Sequence, residues 1–346
     1  MAIGNNVPQM GYNGVLAIAK ETTFGTFVTG TTWVEFNSES LKYNIEEVKI
    51  ETINTLRSTT RILQGNISVD GSIEAPLNLA ADSNLFIVKS VMGGTVSSAA
   101  ASTGSYLHTF TVGDLENNRA TSTSNNMKSL SISVRPGEAA MTTWNFYGCR
   151  VNSWTLKAET GSPVLWTAEI VGKGCSTGAT IPAAVFSDVN PCMFNGVYLC
   201  AGTTLGACTT TSQEYVKSLE VSIKNNLVTD QRVLGDDEVV GLPAGKREIT
   251  LKVSQIFDTI TAYNRYIQAT DTAFKIVIDS LVTMGADLTT YAMDIYLPRC
   301  RLSSPFTPAV GDSGPIMQEL EYKCLYATEK AYDMAIAVRN KTASYD

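Results

Sequence analysis

The sequence has little of the chemistry on which enzymes and nucleic-acid-binding proteins depend. One of its 346 residues is histidine, 17% are charged, and the formal net charge is −7. A protein that holds DNA by neutralising its phosphates should be basic, so tight nucleic-acid binding is not expected. The H-E-x-x-H, G-x-S-x-G and dinucleotide-binding patterns are missing from the sequence. We therefore expect no catalysis, no cofactor and no metal site.

The sequence also has no run of eighteen apolar residues, which excludes a predicted transmembrane helix and a membrane partner. Its first residues lack the basic and then apolar pattern of a signal peptide, so we expect synthesis in a cytoplasm. The cysteines are odd in number and form no C-x-x-C pair, which indicates reduced and mostly buried thiols. They are Cys149, Cys175, Cys192, Cys200, Cys208, Cys300 and Cys324.

Two local features could carry chemistry but are better explained without it. The single histidine, His108, lies in an alternating Tyr-Leu-His-Thr-Phe segment and has no glycine-framed serine to pair with. The acidic cluster Asp236–Glu238 lacks the spacing of a calcium-binding loop and is more typical of a solvated loop tip.

Hydrophobic residues make up 44% of the chain, and much of the remainder is Thr, Ser, Ala and Gly, which favours a mainly β protein. Two segments alternate clearly and predict strands with one buried and one wet face. Their polar faces are Ser68, Asp70, Ser72 and Glu74 in the first segment and Glu248, Thr250, Lys252 and Ser254 in the second.

Two helices are predicted, near residues 82–92 and 258–269. Asp82 is placed as the N-cap of the first helix and Gly93 as the glycine that ends it, and Asp258 begins the second. Ile260, Tyr263, Tyr266 and Ile267 form its apolar stripe.

Three segments are predicted to be irregular. Residues 46–65 and 224–245 are polar, mixed-charge connections between strands, and the Ser/Thr-rich segment 93–126 is interpreted as a long surface loop with a short strand at 108–112. Residues 1–30 are interpreted as an N-terminal arm or edge strand.

The order strand, long connection, strand and helix occurs twice in the chain, which indicates an internal duplication. Ser40–Ile45 matches Ser218–Ile223 with an offset of 178, and Cys149–Val151 matches Cys300–Leu302 with an offset of 151. The predicted organisation is an arm at 1–30, a first domain at 31–180, a second domain at 181–330 and a tail at 331–346.

The element order of residues 40–93 resembles that of the tail tube (major tail) proteins of long, non-contractile-tailed bacteriophages. The resemblance covers roughly residues 30–180 and 195–330 as two tandem tail-tube-type domains. It implies a β-sandwich or barrel in each, with one flanking helix. It also implies homotrimeric rings with pseudo-six-fold symmetry that stack into a hollow tail tube of the virion.

The resemblance also implies partners and site residues. The partners are further copies of the chain, tail tip or initiator and tail terminator proteins, and a tape measure protein and double-stranded DNA in the lumen, without tight binding. The polar faces named above would line the lumen, and the two mixed-charge connections would contact adjacent rings. The candidate inter-ring residues are Glu46, Glu47, Lys49, Glu51, Arg57, Arg61, Asp230, Arg232, Asp236, Asp237 and Glu238.

Two alternatives fit the composition. One is a two-domain β-sandwich adhesin or carbohydrate-binding protein, which would need an exposed aromatic platform. The sequence places Trp33, Trp144, Trp154 and Trp166 in strand-like contexts, where core packing is the usual role. The other is a capsid decoration protein.

Overall fold

The computed structural model describes residues 10–53, 58–59, 61–102, 104–112, 129–137, 142–178, 181–257, 259–284, 289–303 and 315–345. We refer to residues 10–178 as the first half and to residues 181–345 as the second half. The described part of the chain is mainly β, with two α-helices, which confirms the predicted fold class.

The elements of the first half include one buried helix. They are β1 Val15–Lys20, β2 Thr32–Val34, β3 Ser38–Glu39, β4 Lys42–Ile50, β5 Arg61–Pro76, α1 Asp82–Met92, β6 Gly93–Ser102, β7 Ser105–Val112, β8 Leu130–Arg135, β9 Trp144–Glu159, β10 Leu165–Gly172 and β11 Gly174–Thr177.

The second half contains a shorter helix. Its elements are β12 Val197–Gly202, β13 Gln213–Glu214, β14 Val216–Lys224, β15 Glu248–Ile256, α2 Thr261–Ile267, β16 Thr272–Met284, β17 Thr289–Leu302, β18 Met317–Cys324 and β19 Ala335–Asn340.

Both halves contain the same antiparallel four-strand unit. Its order is β4–β5–β10–β9 in the first half and β14–β15–β18–β17 in the second. One hydrogen bond recurs at the same point of each unit, from Leu77 N to Val164 O and from Phe257 N to Ile316 O, both at 2.8 Å. The same four-strand arrangement therefore occurs in both halves of the described chain.

The strand registers correct one part of the predicted alignment. The recurring hydrogen bond relates β5 to β15 by an offset of 180, and the pairing of β4 with β5 then relates β4 to β14 by 180 as well. The sequence match gave 178. Tyr43 thus corresponds to Ile223 and Ile45 to Asn225.

The two halves are joined edge to edge within one sheet. The C-terminal part of β9 pairs antiparallel with β14, with Glu159 opposite Ser218 and Ser153 opposite Lys224. A single cluster of buried apolar residues runs through both halves and includes Leu16, Trp154, Ile223 and Ile295.

The segment predicted as a terminal arm or edge strand contains an interior strand. β1 lies between β2 and β8, and its Leu16 and Ile18 are fully buried. β19, in the predicted C-terminal tail, lies between β17 of the second half and β7 of the first.

The Ser/Thr-rich segment 93–126 was predicted as a surface loop with a short strand at 108–112. The strand is confirmed as part of β7, but the prediction of a loop is wrong for residues 93–102, which form β6. β6 and β7 pair as a hairpin, which joins β19 through β7. Residues 113–126 lie outside the described residues.

The first helix has the predicted bounds but a different start. α1 runs from Asp82 to Met92 and ends at Gly93, which has the left-handed φ of 64°. Ala81 occupies the N-cap position without a side-chain cap, so the prediction of Asp82 as the cap is wrong. Asp82 Oδ1 instead accepts hydrogen bonds from Thr342 Oγ1 at 2.6 Å and Tyr345 Oη at 2.8 Å.

Tyr345 anchors the C-terminal segment on α1 and β7. Its side chain is 3% exposed, and its ring packs edge-on against His108 with centroids 4.7 Å apart. Because truncation leaves a cavity, we expect Tyr345→Ala to lower the free energy of unfolding by about 3 kcal/mol. Tyr345→Phe keeps the packing and removes the hydroxyl, so we expect a loss of about 1 kcal/mol. Urea denaturation followed by tryptophan fluorescence measures both, and equal losses would contradict the role of the packed ring.

Candidate assembly surfaces

The two polar faces predicted from the sequence lie on one continuous surface. One row of directly opposed residues crosses six strands, from Glu74 through Thr167, Thr155, Ser222 and Thr250 to Lys323. A second row contains Ser72, Glu169, Ser153, Lys224 and Glu248. Because successive side chains alternate across a strand, Ser68, Asp70, Lys252 and Ser254 project from the same face.

This surface, which we call the polar face, carries both signs of charge and is acidic on balance. Its ion pairs include Lys252 with Glu220 and Lys42 with Asp70, each at 3.4 Å, and it is hydroxyl-rich along the central rows. Its eight acidic side chains are Asp70, Glu74, Glu159, Glu169, Glu220, Glu248, Glu319 and Glu321, and its six basic side chains are Lys42, Lys157, Lys224, Lys252, Lys323 and Arg301. The surplus of carboxylates disfavours retention of a polyanion.

The first mixed-charge connection is largely a β-hairpin, which corrects the prediction of an irregular loop. β4 extends to Ile50 and β5 begins at Arg61, and Val48 lies opposite Leu63 in the pairing. We call residues 46–65 the arm, which is distinct from the N-terminal residues 1–30. Its described strands are exposed on both faces, and Val48, Ile62 and Leu63 are between 44% and 55% exposed.

The predicted inter-ring residues of the arm are at the surface. Glu46, Glu47, Lys49, Glu51 and Arg61 are exposed, and Glu46 Oε2 accepts a hydrogen bond from Asn66 Nδ2 at 3.0 Å. Arg57 lies outside the described residues.

The second connection, residues 224–245, folds back onto the first half. Ile67 N of β5 donates to Asp237 O at 2.9 Å, and Arg232 Nη2 donates to Ile67 O at 2.7 Å. Val239 and Leu242 are buried. Of the residues predicted here for inter-ring contact, Arg232, Asp237 and Glu238 thus contact the first half, while the side chains of Asp230 and Asp236 are exposed.

Buried polar groups fix this second connection in place. Glu238 accepts a hydrogen bond from Tyr147 Oη at 2.7 Å and pairs with Lys173 at 3.5 Å. Burial, together with this carboxylate, raises the pKa of Tyr147 well above its usual value. Arg150, 6% exposed, donates from Nη1 to Leu242 O at 2.8 Å, and burial lowers its pKa to about 10. The sequence gave no signal for these contacts, because each joins distant segments.

The edge of the first half at β4 has no second neighbouring strand among the described residues. β4 pairs only with β5, whereas its counterpart β14 pairs with both β15 and β9. Tyr43 is 38% and Ile45 is 45% exposed, while their counterparts Ile223 and Asn225 are completely buried. These exposed residues belong to the core side of the sheet, since Tyr43 and Ile45 lie opposite the buried Val69 and Ile67.

Trp144 shows the same difference. It lies 38% exposed in a groove beside Tyr43, whereas Ile295, its counterpart on β17, is fully buried. A bulge at the same point of β8–β9 and β16–β17 fixes this correspondence. We call the surface formed by Tyr43, Ile45 and Trp144 the first-half edge.

The helix of the second half is exposed. Eight of the eleven residues of α1 are buried, whereas Ala262 is the only buried residue among the seven of α2. Ile260 and Ile267 are each 62% exposed and Tyr263 is 45% exposed, so three residues of the predicted stripe face outward. The fourth, Tyr266, packs against the core. We call the three exposed residues the α2 surface. Asp258, the predicted start of the helix, lies outside the described residues.

The single histidine and two of the tryptophans considered from the sequence lie in the core, whereas Trp144 is exposed beside Tyr43. His108 is fully buried, with Nδ1 2.8 Å from Ser98 Oγ and Nε2 2.8 Å from Thr342 O, which are the contacts of a structural histidine. Trp154 and Trp166 are each 1% exposed. No cluster that could hold a metal ion occurs in the described residues.

None of the helices described above is both long and apolar enough to cross a membrane. The exposed surfaces that could serve in assembly are the first-half edge, the α2 surface, the arm and the polar face, of which the polar face spans both halves.

Comparison with known proteins agrees with this arrangement. A family model described as phage tail tube protein matches residues 11–324, which include both four-strand units. A search of curated proteins finds no match to the chain. The family match covers far more than half of the sequence, and the chain therefore belongs to the phage tail tube protein family.

Proposed function

We propose that the chain polymerises into rings of three copies, and that these rings stack into the hollow tube of a phage tail. The observation that carries this proposal is the β9–β14 junction, which joins two equivalent units edge to edge. The same junction repeated between chains would place the chain that follows β17 in one copy beside β4 of the next. The counterparts of the pairing residues 153–159 of β9 are residues 304–310, which lie outside the described residues. Such a contact is head-to-tail, and a head-to-tail contact generates a closed ring when its rotation closes.

Three copies provide six units. Family members with one tube domain per chain form hexameric rings, so a chain with two units needs three copies for the same ring. Closure also removes the exposed β4 edge, which would otherwise be free to pair with other strands.

The internal junction also indicates which side chains meet between copies. Asn225 Nδ2 donates to Val91 O at the end of α1 at 3.0 Å and to Val151 O of β9 at 3.2 Å. Ile45 is the counterpart of Asn225. Val91 is the second-last residue of α1, and Ile267, the last residue of α2, has the similar position in the second half. The repeated junction therefore places Ile45 of one copy near Ile267 of its neighbour, and it buries two exposed apolar residues together.

The polar face would line the lumen. Its hydroxyls and its surplus of carboxylates leave double-stranded DNA and a tape measure protein free to move along it, because they provide no basic groove. Tail tip and terminator proteins would bind the two ends of the tube, and the assembled product is a part of the virion made in a host cytoplasm.

The arm would connect adjacent rings. An isolated two-stranded hairpin is marginally stable in water, and the arm exposes apolar residues together with both signs of charge. Contact with a neighbouring ring would bury the apolar residues and pair the charges. The exposed Asp230 and Asp236 lie on the second connection and are the corresponding candidates there.

Electron microscopy of the purified protein tests the proposal. We expect rings of three chains and stacked tubes at high protein concentration, with ring mass determined by native mass spectrometry. A protein that stays monomeric at every concentration, with and without tail tip protein, would refute it. Rings of six chains would refute the trimer but not the tube.

A further inference from the structure

We propose that Cys300 and Cys324 form a disulfide bond between β17 and β18 when the protein meets a small-molecule disulfide oxidant. The two residues are directly opposite each other in the antiparallel pairing, and their Sγ atoms are 3.1 Å apart. Both are thiols in the structure. This bond goes beyond a role in the tail tube and does not depend on it.

The backbone around the pair has the geometry that a cross-strand disulfide needs. Leu325 N donates to Arg299 O at 2.7 Å, and Ser303 N donates to Glu321 O at 2.8 Å. Since hydrogen-bonded and non-hydrogen-bonded pairs alternate along an antiparallel ladder, Cys300 and Cys324 form a non-hydrogen-bonded pair. Such pairs have Cα atoms about 4.5 Å apart, which lies within the range that disulfides span.

The first half has no equivalent bond, which makes the pair specific to the second. Cys149 corresponds to Cys300, but the residue that corresponds to Cys324 is Gly172. A Cβ atom built at Gly172 would lie 3.0 Å from Cys149 Sγ. The two positions are therefore close in the first half too, but only one of them carries a sulfur atom. Cys149 therefore serves as an internal control.

The two thiols have different environments, which sets the order of the reaction. Cys300 is fully buried, and burial raises the pKa of its thiol well above the usual value, whereas Cys324 is only partly buried. The thiolate of Cys324 attacks the oxidant and releases one of its thiols, which leaves a mixed disulfide. Cys300 then loses its proton, attacks the Cys324 sulfur and releases the second thiol. Two protein thiols are thus oxidised and one oxidant disulfide is reduced.

Oxidised glutathione provides the test. After incubation, we expect the intact protein to lose the mass of two hydrogen atoms. After denaturation and alkylation without reductant, we expect Cys300 and Cys324 to be linked in peptide maps and Cys149 to be alkylated. We expect Tm to rise by roughly 5 °C relative to the reduced protein, because the bond constrains the unfolded chain.

Matched variants separate the bond from other thiol reactions. Cys149→Ser should behave as the parent protein does, and Cys300→Ser should keep glutathione on Cys324 without a rise in Tm. The proposal is overturned by a parent protein that retains glutathione on Cys324, that shows no mass change, or that links other cysteines while Cys300 stays alkylated.

Discussion

Replacing Ile45 with aspartate is expected to abolish rings and tubes while the monomer stays folded. Ile45 is 45% exposed, and its side chain lies at the first-half edge, outside the closed part of the core. A carboxylate there remains solvated in the monomer but would be buried against the α2 surface in a ring. Burial of the unpaired charge costs about 3 kcal/mol, which weakens each contact roughly a hundredfold.

Two single variants and their combination test the contact itself. Ile45→Val keeps an apolar side chain and should still assemble, with a slightly higher critical concentration. Ile267→Lys should block assembly as Ile45→Asp does, since Ile267 is 62% exposed in the monomer and meets the same neighbour. The double variant Ile45→Asp with Ile267→Lys should recover part of the assembly, because the two new charges pair across the contact.

Sedimentation velocity and negative-stain microscopy measure these outcomes, and circular dichroism shows whether each monomer is folded. Assembly of Ile45→Asp at parental concentration would show that the first-half edge is not part of the ring contact. Loss of assembly in the double variant equal to that in the single variants would argue that Ile45 and Ile267 do not meet.

The sequence predicted elements whose signal is local. The alternation of Ile67, Val69 and Ile73 with polar residues marks a strand with one buried face, and the structure buries all three. The bounds of α1 were also predicted correctly, because Gly93 adopts the left-handed conformation that ends the helix.

The arm was missed because both of its faces are exposed. Alternation predicts a strand only where one face is buried, and β4 beyond Ile45 has no such face within the chain. β6 gave a weak signal for a related reason, since it is built of Ser, Ala and Gly with few apolar residues. Composition alone then indicated a loop.

The repeat alignment was two residues off in β4 and β14 for a physical reason. A shift of two residues leaves every side chain on its original face, so the apolar pattern cannot detect it. Only the hydrogen-bond register, anchored by Leu77 and Phe257, resolves the offset of 180. The β9–β14 junction was equally beyond the sequence, because pairing between distant strands leaves no local pattern.

Removal of the arm is expected to separate ring formation from stacking. Residues 49–62 can be replaced by Asn-Gly, because Val48 and Leu63 lie opposite each other and a two-residue type I′ turn joins such a pair. The side chains of Ile50, Ile53 and Ile62 in the arm are not part of the buried core. We therefore expect Tm of the monomer to change by no more than about 2 °C. Rings should still form, because the first-half edge and the α2 surface are intact.

Tubes should be lost in this variant, since the apolar and charged groups that would bridge adjacent rings are gone. Negative-stain microscopy should show single rings where the parent protein gives long tubes, and native mass spectrometry should show an unchanged ring mass. Lys49→Arg, which keeps the arm and its charge, is the control and should form tubes of parental length. Long tubes from the shortened protein would assign stacking to another surface, and a loss of rings would place the arm in the contact within a ring.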